Sequence, residues 1–422
     1  MKKIITIITA SLLMLSVNAQ SVNDTVAMGQ FYANQVFYSL DNGEVANINN
    51  NDWELGFAAA GQGAAGSAIL INEATTTLWA YPSDTAEWNS FDTTGYLAWE
   101  QLLNTDTSWT NGAFNVHRGA AGWADLGWGV LNPQQNYWTF GDSLYLAKLS
   151  DNTFRKIWIV SLKTGVWEFK YSDVDGSNEQ TFTIDKSNYP NKNFVYHSML
   201  TNATIDREPD NTTWDLMFAK HTDYLSYAGQ YVSVTSVFNN RDVWSAKSNE
   251  TDYAAALIAT APQTSFNQNI TNIGREWKKY SSATGWTIYD SIAYFIYDND
   301  STDFYRIVFN GFESGFSGLG KAMFNQEHLQ TVSVQVYEHN VTFSMYPNPA
   351  TNQITLLLDY FEYATMQVDV VDLSGKLVLS KTIQVNNGVN QKTIDINQLK
   401  SGIYLLQLKS DQLNTTQKLI VR

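Results

Sequence analysis

The chain has no cysteine, so a disulfide framework and thiolate chemistry are both closed to it, and cohesion must come from packed cores. Proline is scarce, at 7 residues in 422, and with only 25 Gly this argues against a long disordered linker. Charged residues make up only 16% of the chain, and the basic ones are the scarcer: 26 Lys and Arg against 41 Asp and Glu, a formal net charge of −15. A chain that acidic repels phosphate backbones, which excludes nucleic acid as a partner. Five His and no Cys leave few activated nucleophiles, and HExxH, Gly-x-Ser-x-Gly and P-loop signatures are all missing. No catalytic residue is therefore assigned. A glycosidase carboxylate pair leaves no such signature, so a hydrolase stands as a third reading of function.

An apolar head is present instead. Lys2 and Lys3 precede an apolar run over 4–17, and Val17-Asn18-Ala19 offers compact residues before Gln20. This is the layout of a secretory signal peptide, residues 1–19, with cleavage expected after Ala19. The run falls short of the ~20 residues of a spanning helix and no stop-transfer pattern follows, so no integral membrane segment is expected in the mature chain. No Cys follows the run, which excludes lipoprotein anchoring.

Aromatic residues reach 14%, and Asn, Thr and Ser fill polar positions that helical surfaces give to Glu, Lys and Arg; both favour β-structure. An internal repeat organises the middle of the chain. Gln35-Val36-Phe37-Tyr38-Ser39-Leu40, a polar turn and Trp53-Glu54-Leu55-Gly56-Phe57 return as Asn193-Phe194-Val195-Tyr196-His197-Ser198, a polar turn and Trp214-Asp215-Leu216-Met217-Phe218. Downstream, Asp142-Ser143-Leu144 pairs with Asp290-Ser291-Ile292, and Phe154-Arg155-Lys156-Ile157-Trp158 with Phe304-Tyr305-Arg306-Ile307-Val308, at an offset near 150 residues. Two tandem copies are expected, 28–186 and 187–340. Each reads as strands, as in the partly alternating 154–170 and in hairpin turns at Asn152-Thr153 and Asp175-Gly176. A last module follows, with short strands expected at 353–358, 365–372, 377–385, 391–396, 402–409 and 416–421.

The tandem units resemble the HmuY-type haem-binding family. The resemblance rests on Phe37-Tyr38-Ser39-Leu40-Asp41-Asn42-Gly43-Glu44-Val45 with Trp53 to Phe57, and on the stretch from Leu144 to Trp158. It implies an all-β chain of two HmuY-like antiparallel domains that bind haem or a related porphyrin through paired axial His or Met. His117, in Phe114-Asn115-Val116-His117-Arg118-Gly119, falls near the first ligand of that family; Leu131-Asn132-Pro133, where the second would fall, holds neither His nor Met. His197 and His221 read as structural. A rival reading is a surface adhesion protein that binds glycan or protein through exposed aromatics, because Trp79, Trp88, Trp99, Trp109, Trp123, Trp128 and Trp138 crowd the first copy. Trp53 and Trp214 read as core. Asp298-Asn299-Asp300-Ser301 and Asp173-Val174-Asp175-Gly176 read as turns, and no metal site is assigned.

The tail, 345–422, resembles the type A sorting domain of type IX secretion, a system of Bacteroidetes. Tyr346-Pro347-Asn348-Pro349-Ala350, Val371-Asp372-Leu373-Ser374-Gly375-Lys376, Leu399-Lys400-Ser401-Gly402-Ile403-Tyr404 and Gln417-Lys418-Leu419-Ile420-Val421-Arg422 carry the resemblance. It implies a small Ig-like β-sandwich, a sorting signal that includes Pro347, Asn348, Pro349, Asp372, Gly375, Gly402 and Tyr404, the outer-membrane translocon as partner, and a secreted or cell-surface protein.

Overall fold

A computed structural model describes the chain from residue 21 to 422, apart from 62, 227–228, 263–264, 299–302, 330–342, 361–363, 373–375, 387 and 411–413. The expected signal peptide lies outside the described residues, as do His339 and Gly375. The chain divides into two compact units, one up to Gln330 and one from Thr331. Both are antiparallel, and the fold is all-β. Among the described residues the single α-helix is the four-residue Tyr253–Ala256, and no helix is long and apolar enough to cross a membrane.

In chain order the first unit runs β1 (Ser21–Ala27), β2 (Asn34–Ser39), β3 (Gly43–Asn49), β4 (Leu55–Ala58), β5 (Ile69–Ile71), β6 (Thr77–Asp84), β7 (Gln101–Leu102), β8 (Gly129–Asn132) and β9 (Trp138–Gly141). It continues with β10 (Ser143–Lys148), β11 (Phe154–Lys163), β12 (Val166–Asp173), β13 (Gln180–Asp185), β14 (Phe194–Ser198), β15 (Ala203–Ile205), β16 (Leu216–Leu225) and β17 (Gln230–Asn239). It closes with β18 (Trp244–Asn249), β19 (Lys278–Ser281), β20 (Gly285–Ile288), β21 (Ile292–Tyr297), β22 (Phe304–Phe312) and β23 (Lys321–His328).

Four main sheets result. Two are outer, β13-β12-β11-β10-β6-β7 and β1-β23-β22-β21-β18; two are inner, β15-β14-β4-β5 and β17-β16-β2-β3. Phe57, Val195, Ile157, Trp167 and Phe169 fill the space between the first outer sheet and its inner partner. Tyr38, Phe218, Ile307, Phe309 and Phe324 do the same for the second pair. The inner sheets meet over Trp109, whose ring lies 5.9 Å from Phe194 and 5.8 Å from Phe238. Being covered on both faces, the inner strands β2, β4 and β14 are buried almost throughout, polar residues such as Gln35 and His197 included. The outer β12 alternates, with Trp167, Phe169 and Tyr171 inside.

The repeat acquires its meaning in the pairing. The hairpin β2–β3 of the first copy adds to β16–β17 of the second, and β14–β15 of the second adds to β4–β5 of the first. Each copy thus lends its first hairpin to the other, so the segments 28–186 and 187–329 share four-stranded inner sheets within one compact unit. The Trp-acid motif clasps the exchange. Asp215 Oδ2 accepts from the Leu40 amide at 2.7 Å, and Glu54 Oε2 accepts from the Met199 amide at 2.6 Å and from Ser198 Oγ at 3.1 Å. Beside each acid, Trp214 meets Phe37 edge-on at 5.0 Å and Trp53 meets Tyr196 at 4.7 Å. The outer sheets close in parallel ways. β13 lines the edge of β12, and β1, from the opposite end of the chain, takes that place beside β23.

The second unit is a sandwich of β24-β25-β28 and β27-β26-β29-β30, where β24 is Phe343–Tyr346, β25 Gln353–Tyr360, β26 Ala364–Asp372, β27 Leu377–Val385, β28 Gly388–Asp395, β29 Gly402–Lys409 and β30 Asn414–Val421. Ile354, Leu356, Val368, Val370, Leu406 and Leu408 form its core.

Candidate functional site

A cleft of about 520 Å³ lies at one end of the β17-β16-β2-β3 sheet, within the size range of small-molecule sites. One wall comes from the short turn after β1. Phe31 and Tyr32 both stand at φ 56°, in the left-handed region that only strong surrounding contacts hold. Those contacts come from the connection between β22 and β23. The Phe31 amide donates to Gly315 O at 2.8 Å, and the Met28 amide donates to Gly320 O at 3.1 Å. Gly320 has φ +63°, and a Cβ there would stand 2.6 Å from Tyr32 Cδ1, so only glycine fits under that ring. The result is a chain of rings. Phe316 meets both Phe31 and Tyr32 edge-on at 5.8 Å, Tyr32 stacks with Phe312 at 6.2 Å, Phe312 meets Trp286 at 4.6 Å, and Trp286 lies 5.4 Å from Tyr280. Phe31, Tyr280 and Phe316 are more than half exposed, so the aromatic wall faces solvent.

The floor is basic. Lys220 on β16 and Arg275, Lys278 and Lys279 at the start of β19 line it. Lys278 is only 6% exposed; its Nζ donates to Thr235 O at 2.8 Å and lies 4.2 Å from the centre of the Trp277 ring. Burial, with Arg275 nearby, brings its ammonium down to about 7. Burial alone lowers Lys220. Arg275 is ion-paired with Asp223, which faces a neighbouring polar hollow.

Between the inner sheets lies a smaller cavity of about 70 Å³, lined by Trp53, Trp109, Tyr196, Glu73 and His221. That is room for water, not for a ligand. Burial pushes Glu73 up to about 7 against the amides of Thr222 and Asn104 that donate to it, and pulls His221 down to about 4.

His117 stands apart from the cleft. It lies on the surface, half exposed, with Nε2 2.8 Å from Glu100 Oε2. His197 is fully buried between Tyr171 Oη at 3.0 Å and Thr204 Oγ1 at 3.3 Å, and His221 bonds Ser236 Oγ at 2.7 Å. Of the Trp cluster, Trp79, Trp88 and Trp128 are core, Trp99, Trp109 and Trp138 are partly buried, and only Trp123 is exposed, at 75%. The exposed rings that do converge, Phe31, Tyr280, Trp286 and Phe316, are scattered along the sequence. The one local signal was Trp277-Lys278-Lys279-Tyr280, a basic aromatic stretch in an acidic chain.

In the tail the residues expected to form the sorting signal make local hydrogen bonds. Pro347 and Pro349 flank Asn348, whose Oδ1 accepts from the Ile420 amide at 2.9 Å while its Nδ2 donates to Lys418 O at 2.7 Å. The Lys376 amide donates to Asp372 Oδ1 at 3.1 Å, and Tyr404 Oη donates to Lys400 O at 2.8 Å across the turn that starts β29 at Gly402.

Residues 344–422 match the secretion system C-terminal sorting domain family. That tail marks the protein as exported by type IX secretion, to the cell surface or beyond it. No curated protein sequence matches the chain. Among solved structures the chain is similar to dimeric latent PorU from Porphyromonas gingivalis, with 10% identity and a TM-score of 0.17, over 63% of this chain and 31% of that one.

Proposed function

We propose that the protein is a non-catalytic binding protein of the cell surface or its surroundings, and that it takes a small ligand into the cleft walled by Phe31, Tyr280, Trp286 and Phe316. The observation that carries this reading is the cleft itself: about 520 Å³, with a continuous wall of solvent-facing rings held by buried glycine contacts. Such rings give stacking area at little entropic cost, and they suit a planar or ring-shaped ligand. Haem or a related porphyrin belongs to that class, and so do sugars. Titration of haemin into the full mature protein, followed by Soret absorbance and Trp emission, separates the options. Loss of binding in Trp286→Ala, by about tenfold or more, places the ligand in the cleft. Loss in His117→Ala alone would move it to the surface loop. A glycan panel against the same variants tests the sugar alternative, and an unchanged Trp286→Ala with every ligand that binds would sink the cleft reading.

A further inference from the structure

We infer that the ligand of this cleft is an amphipathic organic anion, its apolar ring lying along the aromatic wall and its acidic head seated on Lys278 and Lys220. This inference rests on the cleft being the binding site and adds the charge of what fills it.

The chain carries a net charge of −15, yet the residues lining the cleft include Lys220, Arg275, Lys278 and Lys279 and not one Asp or Glu. Two of the four are short of counter-charge. Lys278 is 94% buried, and its only hydrogen-bond partner among the described residues is the neutral Thr235 carbonyl. Lys220 makes no side-chain hydrogen bond or ion pair among the described residues. The carboxylates nearby are engaged elsewhere: Asp223 holds Arg275, and Glu276 holds Lys247 at 2.5 Å. Burying an ammonium without a counter-ion is strongly unfavourable, and a well-placed anion offsets that cost. A structural lysine in such a place is ordinarily paired or replaced by an apolar side chain, and here a second cation sits beside it. The low ammonium pKa of Lys278 has the same origin, and an anion bound beside it would raise that pKa again. Burying the head against Lys278 and the body against Phe31, Trp286 and Phe316 demands both ends of an amphipath in one ligand.

Two fluorescent probes with the same ring system test this: anilinonaphthalene sulfonate and its uncharged relative phenylnaphthylamine. Both are titrated into the full mature protein and into Lys278→Met, Lys220→Met and Trp286→Ala. The methionine changes keep side-chain volume and remove the charge, in Lys278→Met together with the bond to Thr235 O and in Lys220→Met with no side-chain hydrogen bond among the described residues lost. A charge-assisted contact predicts that wild type binds the sulfonate roughly tenfold tighter than the neutral probe. That preference should fall below about twofold in Lys278→Met or Lys220→Met, while the neutral probe is unaffected. Trp286→Ala should weaken both probes alike. Equal affinity of wild type for the two probes, or a preference that survives both lysine changes, overturns the anionic inference and leaves the cleft intact as a site. Failure of Trp286→Ala to weaken either probe overturns the cleft itself, and the inference with it. Should Lys278→Met not fold, as judged by circular dichroism, Lys220→Met at a half-buried position in the middle of β16 decides the question.

Discussion

Asp215 and Glu54 show how one residue type at one position can organise two halves of a chain. Each sits after the motif Trp, and each carboxylate accepts the backbone amide that follows the other copy's aromatic-x-Ser strand. An amide left without its acceptor in a buried site costs about 1–3 kcal/mol. Asp215→Ala should therefore lower the free energy of unfolding, read from urea denaturation, by that amount, and Asp215→Asn, which keeps an oxygen, by clearly less. Equal stability of wild type and Asp215→Ala would refute the clasp. A second residue gives a pH signature. Burial pulls the His197 imidazole down to about 4, whereas an unfolded His titrates near ~6.5. Between those values the unfolded chain binds a proton that the folded one refuses, so stability contributed by neutral His197 is complete above about pH 6.5 and is lost as pH falls toward 4. The loss is on the order of 3 kcal/mol at most. Glu73 and Glu208, both raised to about 7, run the other way and lose stability as pH rises through that value. Comparing His197→Gln with wild type at about pH 7, 5.5 and 4.5 isolates the imidazole: the stability gap should narrow or reverse on acidification, and a constant gap would contradict the assignment.

At the scale of elements, β1 matters more than its position at the start of the chain suggests. Seven residues pair in register with β23, from Ser21 opposite Glu327 to Ala27 opposite Lys321, and Val26 and Met28 enter the second core. The same segment leads directly into Phe31 and Tyr32, so closing the sheet and shaping the cleft are one event. A variant lacking 21–27 opens the β23 edge and uncovers apolar core. An exposed edge of that kind invites intermolecular pairing. The expected outcome is a lower melting temperature, concentration-dependent light scattering and a loss of probe binding at the cleft; a monomer with unchanged melting would overturn this view of β1. The strands themselves were largely legible. In the tail, the expected strands at 353–358, 365–372, 377–385 and 402–409 fall on β25, β26, β27 and β29 with shifts of two residues or fewer, because alternation and Ser-Gly turns are local signals. β1 was not legible, for its sequence Ser-Val-Asn-Asp-Thr-Val-Ala is half polar and its partner lies 300 residues away.

For the whole molecule, the hairpin exchange makes a concrete statement about folding. Neither copy contains both halves of an inner sheet, since β2 needs β16 and β14 needs β4. Fragments 21–186 and 187–330, expressed separately, should each fail to give a cooperative unfolding transition, whereas mixing them should restore one, together with near-native circular dichroism. A stable, cooperative 187–330 fragment would refute the interdependence. What the amino-acid sequence determined by itself was the local and the repeated. Composition and alternation led to an all-β chain, and the tail led to type IX export, because each is written in neighbouring residues; self-similarity gave the expectation of two copies. Which strand lies beside which was decided only in the tertiary structure. Apolar patterning specifies how many faces of a strand are buried, and it is silent on whether the covering hairpin comes from its own copy or the other. The cleft belongs to the same class of facts. Phe31, Lys220, Lys278, Trp286 and Phe316 are spread over 286 positions; Lys220 and Lys278 meet at Thr235, and the segment after β1 adds Phe31 beside Phe316.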